Sequence, residues 1–290
     1  MDSLKKVALL LPSIEVDMGG FPVKQPMPTQ SVDQVDPFLL LHHARTKYNN
    51  SRPAKIQGIG PHPHRGFSPV TFIIEGEVHH RDSRGNDQIA KADEVQWMHA
   101  GAGIVHSERP SEKVTSGLEY QEIIQLWINS PGDKKMIEPT YQYLPEEQFP
   151  IILSDDKKIR NKIVAGSFNG VKGPANTQSE VLIIWGKSMP EGSQSYTLSE
   201  NNNVMLYLIN GAMRVEGYGQ VGKEHLVVFE TGGNQLSVSF QKSSQFLILC
   251  GAPIDEEVTH YGPFVMNTQT EILEAMRDYQ MGKMGILIEE

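Results

Sequence analysis

The chain has 290 residues, 39% hydrophobic and 21% charged, an ordinary globular composition long enough for one large or two medium domains with a buried core. Lys+Arg 26 against Asp+Glu 35 leaves a formal net charge of -9, which excludes a general electrostatic attraction to phosphate backbones or anionic lipid. The single cysteine, Cys250, excludes an internal disulfide framework and a thiolate-rich zinc site, so metal chemistry must use nitrogen and oxygen donors.

At the N-terminus, Lys5 and Lys6 precede only Val7 to Leu11 before Pro12. That run is shorter than the ~7–15 apolar residues of a secretory signal, and no stretch approaches the roughly 20 apolar residues of a membrane-spanning helix. The segment reads as a strand, and the protein as soluble and cytoplasmic. Short apolar runs rich in β-branched and aromatic residues then recur between glycines and prolines: Val70–Ile74, Glu94–Met98, Ile123–Ile128, Val181–Trp185, Val204–Ile209, His225–Phe229, Leu236–Phe240 and Phe246–Leu249. This rhythm predicts an all-β fold of sandwich or barrel type. Turn formers and charges displace the apolar pattern between Asn129 and Lys135 and again at Glu138-Pro139 and Leu144-Pro145, which sets two halves at 1–135 and 136–290. Phe72 to Val78 echoes Tyr207 to Met213, each a strand that ends in a glycine turn, at Gly76 or Gly211, and resumes. Cys250, behind Phe246 to Leu249, reads as a small apolar strand residue. The tail differs: Thr268 and Glu271 have capping-box spacing, Ile272, Leu273, Met276 and Tyr279 form one apolar face, and Gly282 can end the helix. A short C-terminal helix covering a sheet face or edge is predicted.

The ten histidines cluster, seven of them before residue 100. In Pro61-His62-Pro63-His64 the two imidazoles stand at i and i+2, so on extended backbone they project from one face with Cα atoms about 7 Å apart. His106 and Glu108 repeat the device after the Gly101-Ala102-Gly103 turn. Two strands, each contributing two ligands on the same face, would supply a site of three histidines and one glutamate. Neutral imidazoles suit Fe, Ni, Cu, Zn or Mn, and one carboxylate offsets part of a divalent charge. On an octahedral ion four protein ligands leave two open positions, whereas a closed tetrahedral zinc site can be built from the same residues. Against this stands a plainer reading, in which prolines fix two loop histidines and Glu108 pairs with Arg109 or Arg65 at the surface. His79, His80 and Asp82, before the turn at Ser83 to Asn86, read as a solvated hairpin end. His99 reads as a core histidine or a group behind the ligands. Of His42 and His43, one is expected to face inward. No Gly-x-Ser-x-Gly elbow, Walker loop or His-Glu-x-x-His is present.

At these residues the chain resembles the pirin family of bicupins. The similarity runs through Pro61 to Phe67, Glu75 to Val78, His80 to Ser83, Gly85-Asn86, Gln96 to Met98 and Ala100 to Glu108, and returns at Tyr261 to Thr268 and Asp278 to Gln280. The resemblance implies two cupin barrels of jelly-roll type, with one divalent ion in the N-terminal barrel held by His62, His64, His106 and Glu108. It implies iron as the usual ion and a flavonol 2,3-dioxygenase activity for several members, with other members acting as regulators through protein partners. Ser68, where the family commonly has an acidic residue, and His99, where it commonly has threonine, are expected close to the metal or to the groups behind its ligands. By the internal echo, Thr197 and Ser199 stand where the second barrel would need His62 and His64, so that barrel is expected to lack a metal. The favoured expectation is an Fe(II)-dependent quercetinase-type dioxygenase opening a flavonol, a small aromatic substrate. Glu108 would serve as ligand and as the base for the substrate hydroxyl. The alternative is a non-enzymatic, metal- or redox-responsive protein acting on a regulatory protein partner.

Overall fold

A computed structural model of the chain describes residues 3–18, 20–117 and 120–289. Each apolar run named above forms the body of a strand: His225–Phe229 has the expected limits, and Ile123–Ile128 lies within Gln121–Asn129. The N-terminal run forms the strand Val7–Pro12.

The chain forms two compact units, and both cross the expected boundary near residue 135. One unit joins the N-terminal stretch to Glu15, Lys24–Pro37 and Glu147–Pro253; the other joins Val16–Val23, Phe38–Glu146 and the C-terminal stretch from Ile254. The physical cause is strand pairing and polar contact between distant segments. Val7–Pro12 pairs antiparallel with His225–Phe229, while Ser107, Arg109 and Arg65 bond to Glu289 and Asp278.

In the unit containing residues 147–253, one sheet has the order Val7–Pro12, His225–Phe229, Asn203–Asn210, Ser244–Gly251, Val181–Ser188, Ile159–Ala165 and Ile151–Leu153. The other has Ser193–Thr197, Gln235–Phe240, Ala212–Val215 and Gly219–Gly222. Inward side chains of both sheets, among them Ile184, Tyr196, Leu206, Met213, Val238 and Phe246, fill the barrel completely enough to be fully or nearly fully buried. Cys250 belongs to the same cluster, as expected for a small apolar residue.

In the unit containing residues 38–146, the strands Thr140–Leu144, Val95–His99, Phe67–Glu75, Gln121–Asn129 and Phe38–Thr46 lie side by side in that order. Facing them is a four-stranded sheet of Ile59–His64, Ile104–Pro110, Glu77–Asp82 and Asp87–Lys91. Gly76 and Gly211 perform the same task in the two units: each lies where the chain leaves one sheet for the other, in the left-handed region at φ 79° and 94°. A Cβ on Gly76 would stand 2.6 Å from the Tyr120 carbonyl oxygen, and one on Gly211 2.1 Å from Ser244 Oγ. The internal echo in the sequence is therefore a repeated barrel corner.

The C-terminal helix Gln269–Gln280 begins with the expected capping box, Thr268 and Glu271 satisfying each other's backbone N–H groups. Its apolar face differs from the expectation. Ile272 and Ala275 are the buried residues and Met276 packs beside them, whereas Leu273 is 58% exposed. The i, i+3, i+4 stripe that includes Ala275 lets the helix approach Val105, Phe264 and Met266 closely, and Leu273 falls off that stripe. The helix thus covers the back of the strand Ile104–Pro110.

Replacing Gly76 with alanine is expected to destabilise the protein by about 2–3 kcal/mol, backbone strain and the clash with Tyr120 acting together. Gly85→Ala, also at positive φ but with open space around the added Cβ, is expected to cost only about 1 kcal/mol. Urea unfolding of the two variants checks this; equal stabilities would contradict the corner assignment.

Candidate metal centre

The strand Ile59–His64 carries two prolines that cannot donate to a ladder, and it is accommodated at the sheet edge, where only one neighbour is needed. That neighbour is Ile104–Pro110, in a register that sets His106 opposite His62 and Ile104 opposite His64. His62 and His64 share a face as the spacing predicts. The Nε2 atoms of His62 and His64 are 3.1 Å apart, and those of His62 and His106 are 2.9 Å apart.

The other ring nitrogens determine what these short distances mean. His62 Nδ1 donates to the Gly60 carbonyl at 2.8 Å and His64 Nδ1 to the Pro263 carbonyl at 3.4 Å. A carbonyl only accepts, so each Nδ1 carries the proton and each Nε2 presents a lone pair. Burial holds His64 and His106 well below the usual imidazole range, reinforced by His62 beside them, so both remain neutral. Nitrogen lone pairs converging at this spacing repel one another unless a cation stands among them. With metal–nitrogen bonds of about 2.1 Å, ligands at right angles sit about 3.0 Å apart, which is the spacing found. Among the described residues these three form the only such group. Thr197 and Ser199, in the other unit, are exposed.

Glu108 lies two residues beyond His106 on the same strand, buried, and both of its oxygens are engaged. Thr71 Oγ1 donates to Oε1 at 3.0 Å and Gln125 Nε2 donates to Oε2 at 2.9 Å. Trp127 Nε1 in turn donates to Gln125 Oε1 at 3.3 Å, which fixes the direction of the Gln125 amide. Pairing of Gln125 with His42 and Thr71 on the flanking strands places these three in one row on the inward face. Phe67 and Trp127 form an aromatic wall, their centroids 4.3 Å apart and 5.1 and 5.4 Å from the His64 ring. Thr71, His80, Gln96, His106, Glu108 and Tyr141 help to line a small cavity, with room for about one water molecule.

Several surrounding residues depart from the sequence reading. His80 and Asp82 do not form a solvated hairpin end: both are buried, His80 Nε2 donates to Asp82 Oδ2 at 3.0 Å, and His80 Nδ1 meets His106 Nδ1 at 3.4 Å. The signal was in the sequence, since His80 and Asp82 are a third i, i+2 pair, and the register sets them opposite Glu108 and His106. His79 points the other way and pairs with Asp87. Ser68 and His99, expected near the metal or the groups behind its ligands, bond to each other at 3.1 Å. Strand alternation turns them away from the cavity, because Pro69, Thr71, Gln96 and Met98 are the residues that line it. His42 is the inward histidine of its pair, and His43 on the opposite face pairs with Glu122 at 2.8 Å.

Two family models match the chain, one described as Pirin over residues 20–128 and one as Pirin C-terminal cupin domain over residues 174–285. Pirin-1 of Arabidopsis thaliana is 36% identical over 289 residues, 97% of this chain and 94% of that protein. Among solved structures, quercetin 2,3-dioxygenase from Acinetobacter baumannii is similar with a TM-score of 0.91 and 32% identity, covering 99% of this chain and 100% of its own. A bacterial pirin from Escherichia coli, solved in complex with nickel(II), shares the fold with a TM-score of 0.68 at 17% identity, over 84% of this chain and 99% of its own.

Burial lowers the His42 imidazole from its ordinary value of 6.5 to about 4. Between those values the unfolded chain binds the proton and the folded chain does not. The contribution of neutral His42 is therefore present above pH 6.5 and lost as pH falls toward 4, on the order of 3 kcal/mol in all. His42→Gln is expected to flatten the fall in unfolding free energy between pH 7 and pH 4.5. An unchanged pH dependence would contradict the buried, neutral state.

Proposed function

Because the chain belongs to the pirin family, we propose that it is a metal-dependent flavonol 2,3-dioxygenase of the quercetinase type, with Fe(II) held by His62, His64, His106 and Glu108. The observation that carries this reading is the convergence of the three Nε2 atoms at 2.9 and 3.1 Å, with a carboxylate two residues further along the same strand. When bound, the ion supplies Lewis acidity toward the substrate's enol oxygen and electron transfer with dioxygen.

The remaining steps fall to the chain's own groups. Glu108 takes the flavonol hydroxyl proton: each of its oxygens accepts one hydrogen bond, from Thr71 or Gln125, and keeps a second lone pair free. The same two donors keep the carboxylate from rotating away between turnovers. Phe67, fully buried, and Trp127 pack as an apolar wall behind His64 and keep water from that side. The cavity around Glu108 and Tyr141 is tight and would admit only the hydroxyl end of a substrate.

We place this activity in the cytoplasm. The single buried cysteine suits a reducing compartment, and among the described residues no helix is long and apolar enough to cross a membrane.

A second reading, a metal- or redox-responsive protein acting on a protein partner, is favoured by one feature. The C-terminal segment exposes Met281, Ile286 and Ile288, 63 to 79% accessible, while Glu289 beside them is bonded to Arg109 on the strand of the ligands. Partners recovered identically by apo, ferrous and ferric protein would count against it.

Metal-stripped protein reloaded with Fe(II) is expected to consume oxygen when given quercetin, and His62→Ala with His106→Ala to abolish both iron uptake and turnover. Glu108→Gln is expected to lower turnover about 10²- to 10⁴-fold, the ordinary worth of a positioned base. An oxygen electrode reads both; bound iron without quercetin-dependent uptake would refute the enzymatic reading.

A further inference from the structure

Asp82, His80 and His106 form a buried chain, 3%, 2% and 2% exposed, in which each link determines the next. Asp82 Oδ1 accepts the backbone N–H groups of Arg84 at 2.9 Å and Asn86 at 3.1 Å. Its Oδ2 accepts Asn86 Nδ2 at 2.7 Å and His80 Nε2 at 3.0 Å. A carboxylate has nothing to donate, so His80 carries its proton on Nε2 and presents a lone pair at Nδ1. The contact between His80 Nδ1 and His106 Nδ1 at 3.4 Å must then be donated by His106. With its proton on Nδ1, His106 has a lone pair at Nε2, 2.9 Å from His62 Nε2. Tyr141 stacks on His80 with centroids 4.1 Å apart and planes 13° apart, which fixes the ring's orientation.

We propose that Asp82 and His80 are positioning residues for the metal: the carboxylate sets the tautomer of His80, and His80 sets that of His106, aiming its Nε2 at the ion. This rests on the reading of the three histidines as a metal site. The contrast with the other two ligands supports it. His62 and His64 are oriented by backbone carbonyls, which every sequence possesses, whereas His106 alone is oriented through side chains. Its strength as a ligand is therefore set by two particular residues of this chain, neither of which touches the ion.

The discriminating variant is Asp82→Asn. The two backbone N–H groups at Oδ1 hold the amide oxygen of the new side chain where it is, so its NH₂ must face His80 Nε2. His80 is then driven to carry its proton on Nδ1, where it meets the Nδ1–H of His106. His106 can relieve that clash only by moving its proton to Nε2, the position required by the metal. Titration with Ni(II), an air-stable probe, is expected to show affinity 10- to 100-fold weaker than native, the usual effect of removing such a partner. His79→Gln, on the same strand but paired with Asp87, is expected to bind Ni(II) as the native chain does. Long-range proton–nitrogen NMR of the native apo protein is expected to find His80 protonated at Nε2 and His106 at Nδ1, with both reversed in Asp82→Asn.

The proposal is overturned if native apo protein shows His80 protonated at Nδ1, or if Asp82→Asn binds Ni(II) with native affinity while folded. A native chain that takes up no Ni(II) would instead refute the metal reading, and the tautomers read by NMR would still decide the relay.

Discussion

Three imidazole nitrogens, each left with a lone pair because the other nitrogen of its ring carries the proton and donates it in a hydrogen bond, are held at 2.9 and 3.1 Å. Such an arrangement is repulsive by itself and becomes favourable only around a cation, so the surrounding structure must hold it against its own tendency to open. The local devices follow from that need. Two prolines stiffen the strand of His62 and His64, the register fixes His106 opposite His62, and burial removes the option of relief by protonation.

The longer-range devices come from the end of the chain, which returns to the half that holds the three histidines instead of completing the other. Pro263 supplies the carbonyl that orients His64. Lys135, buried and with its ammonium pushed down to about 8 by that burial, donates to Gly66 O, Asn129 Oδ1 and Val265 O at 2.8, 2.6 and 3.1 Å. It thereby ties the turn after His64 to the segment that contains Pro263. Arg65, the residue after His64, donates to Asp278 on the C-terminal helix and to the Ala102 carbonyl before the ligand strand. Ser107 and Arg109, on the back of that strand, both bond to Glu289. Buried charges cost desolvation and are tolerated when paired and fully hydrogen-bonded, and here each such pair braces a residue adjacent to a ligand.

How much of this could be read from the amino acids alone depends on the range of the interaction. Period-two spacing brings out His62, His64 and His106, which the structure gathers, and Glu108, whose carboxylate lies outside their group, because alternation along a strand is local and independent of tertiary context. The same rule would have revealed His80 and Asp82, had the turn signal after them not suggested a solvated hairpin end. The strand neighbouring them, Ile104–Pro110, buries them, and strand pairing is not a local property. Ser68 and His99 lie off the cavity for a related reason: nearness in sequence to Phe67 and Met98 says nothing about which face a side chain takes until one residue on the strand is anchored. The carbonyl of Pro263, about two hundred residues from His64, has no sequence signature at all, since every residue has a carbonyl. The capping box at Thr268 and the glycine corners at Gly76 and Gly211 were legible because each depends on a few adjacent residues.

Everything around the site has its purpose only if these three histidines ligate an ion. Anomalous diffraction at the metal's absorption edge, from crystals of the protein as isolated, addresses it without depending on activity or on a chosen substrate. A single anomalous peak per chain is expected, within bonding distance of Nε2 of His62, His64 and His106 and of a Glu108 oxygen. A well-ordered map of that region with no anomalous peak after soaking in Fe(II) or Ni(II), or a peak bound by other residues, would contradict it.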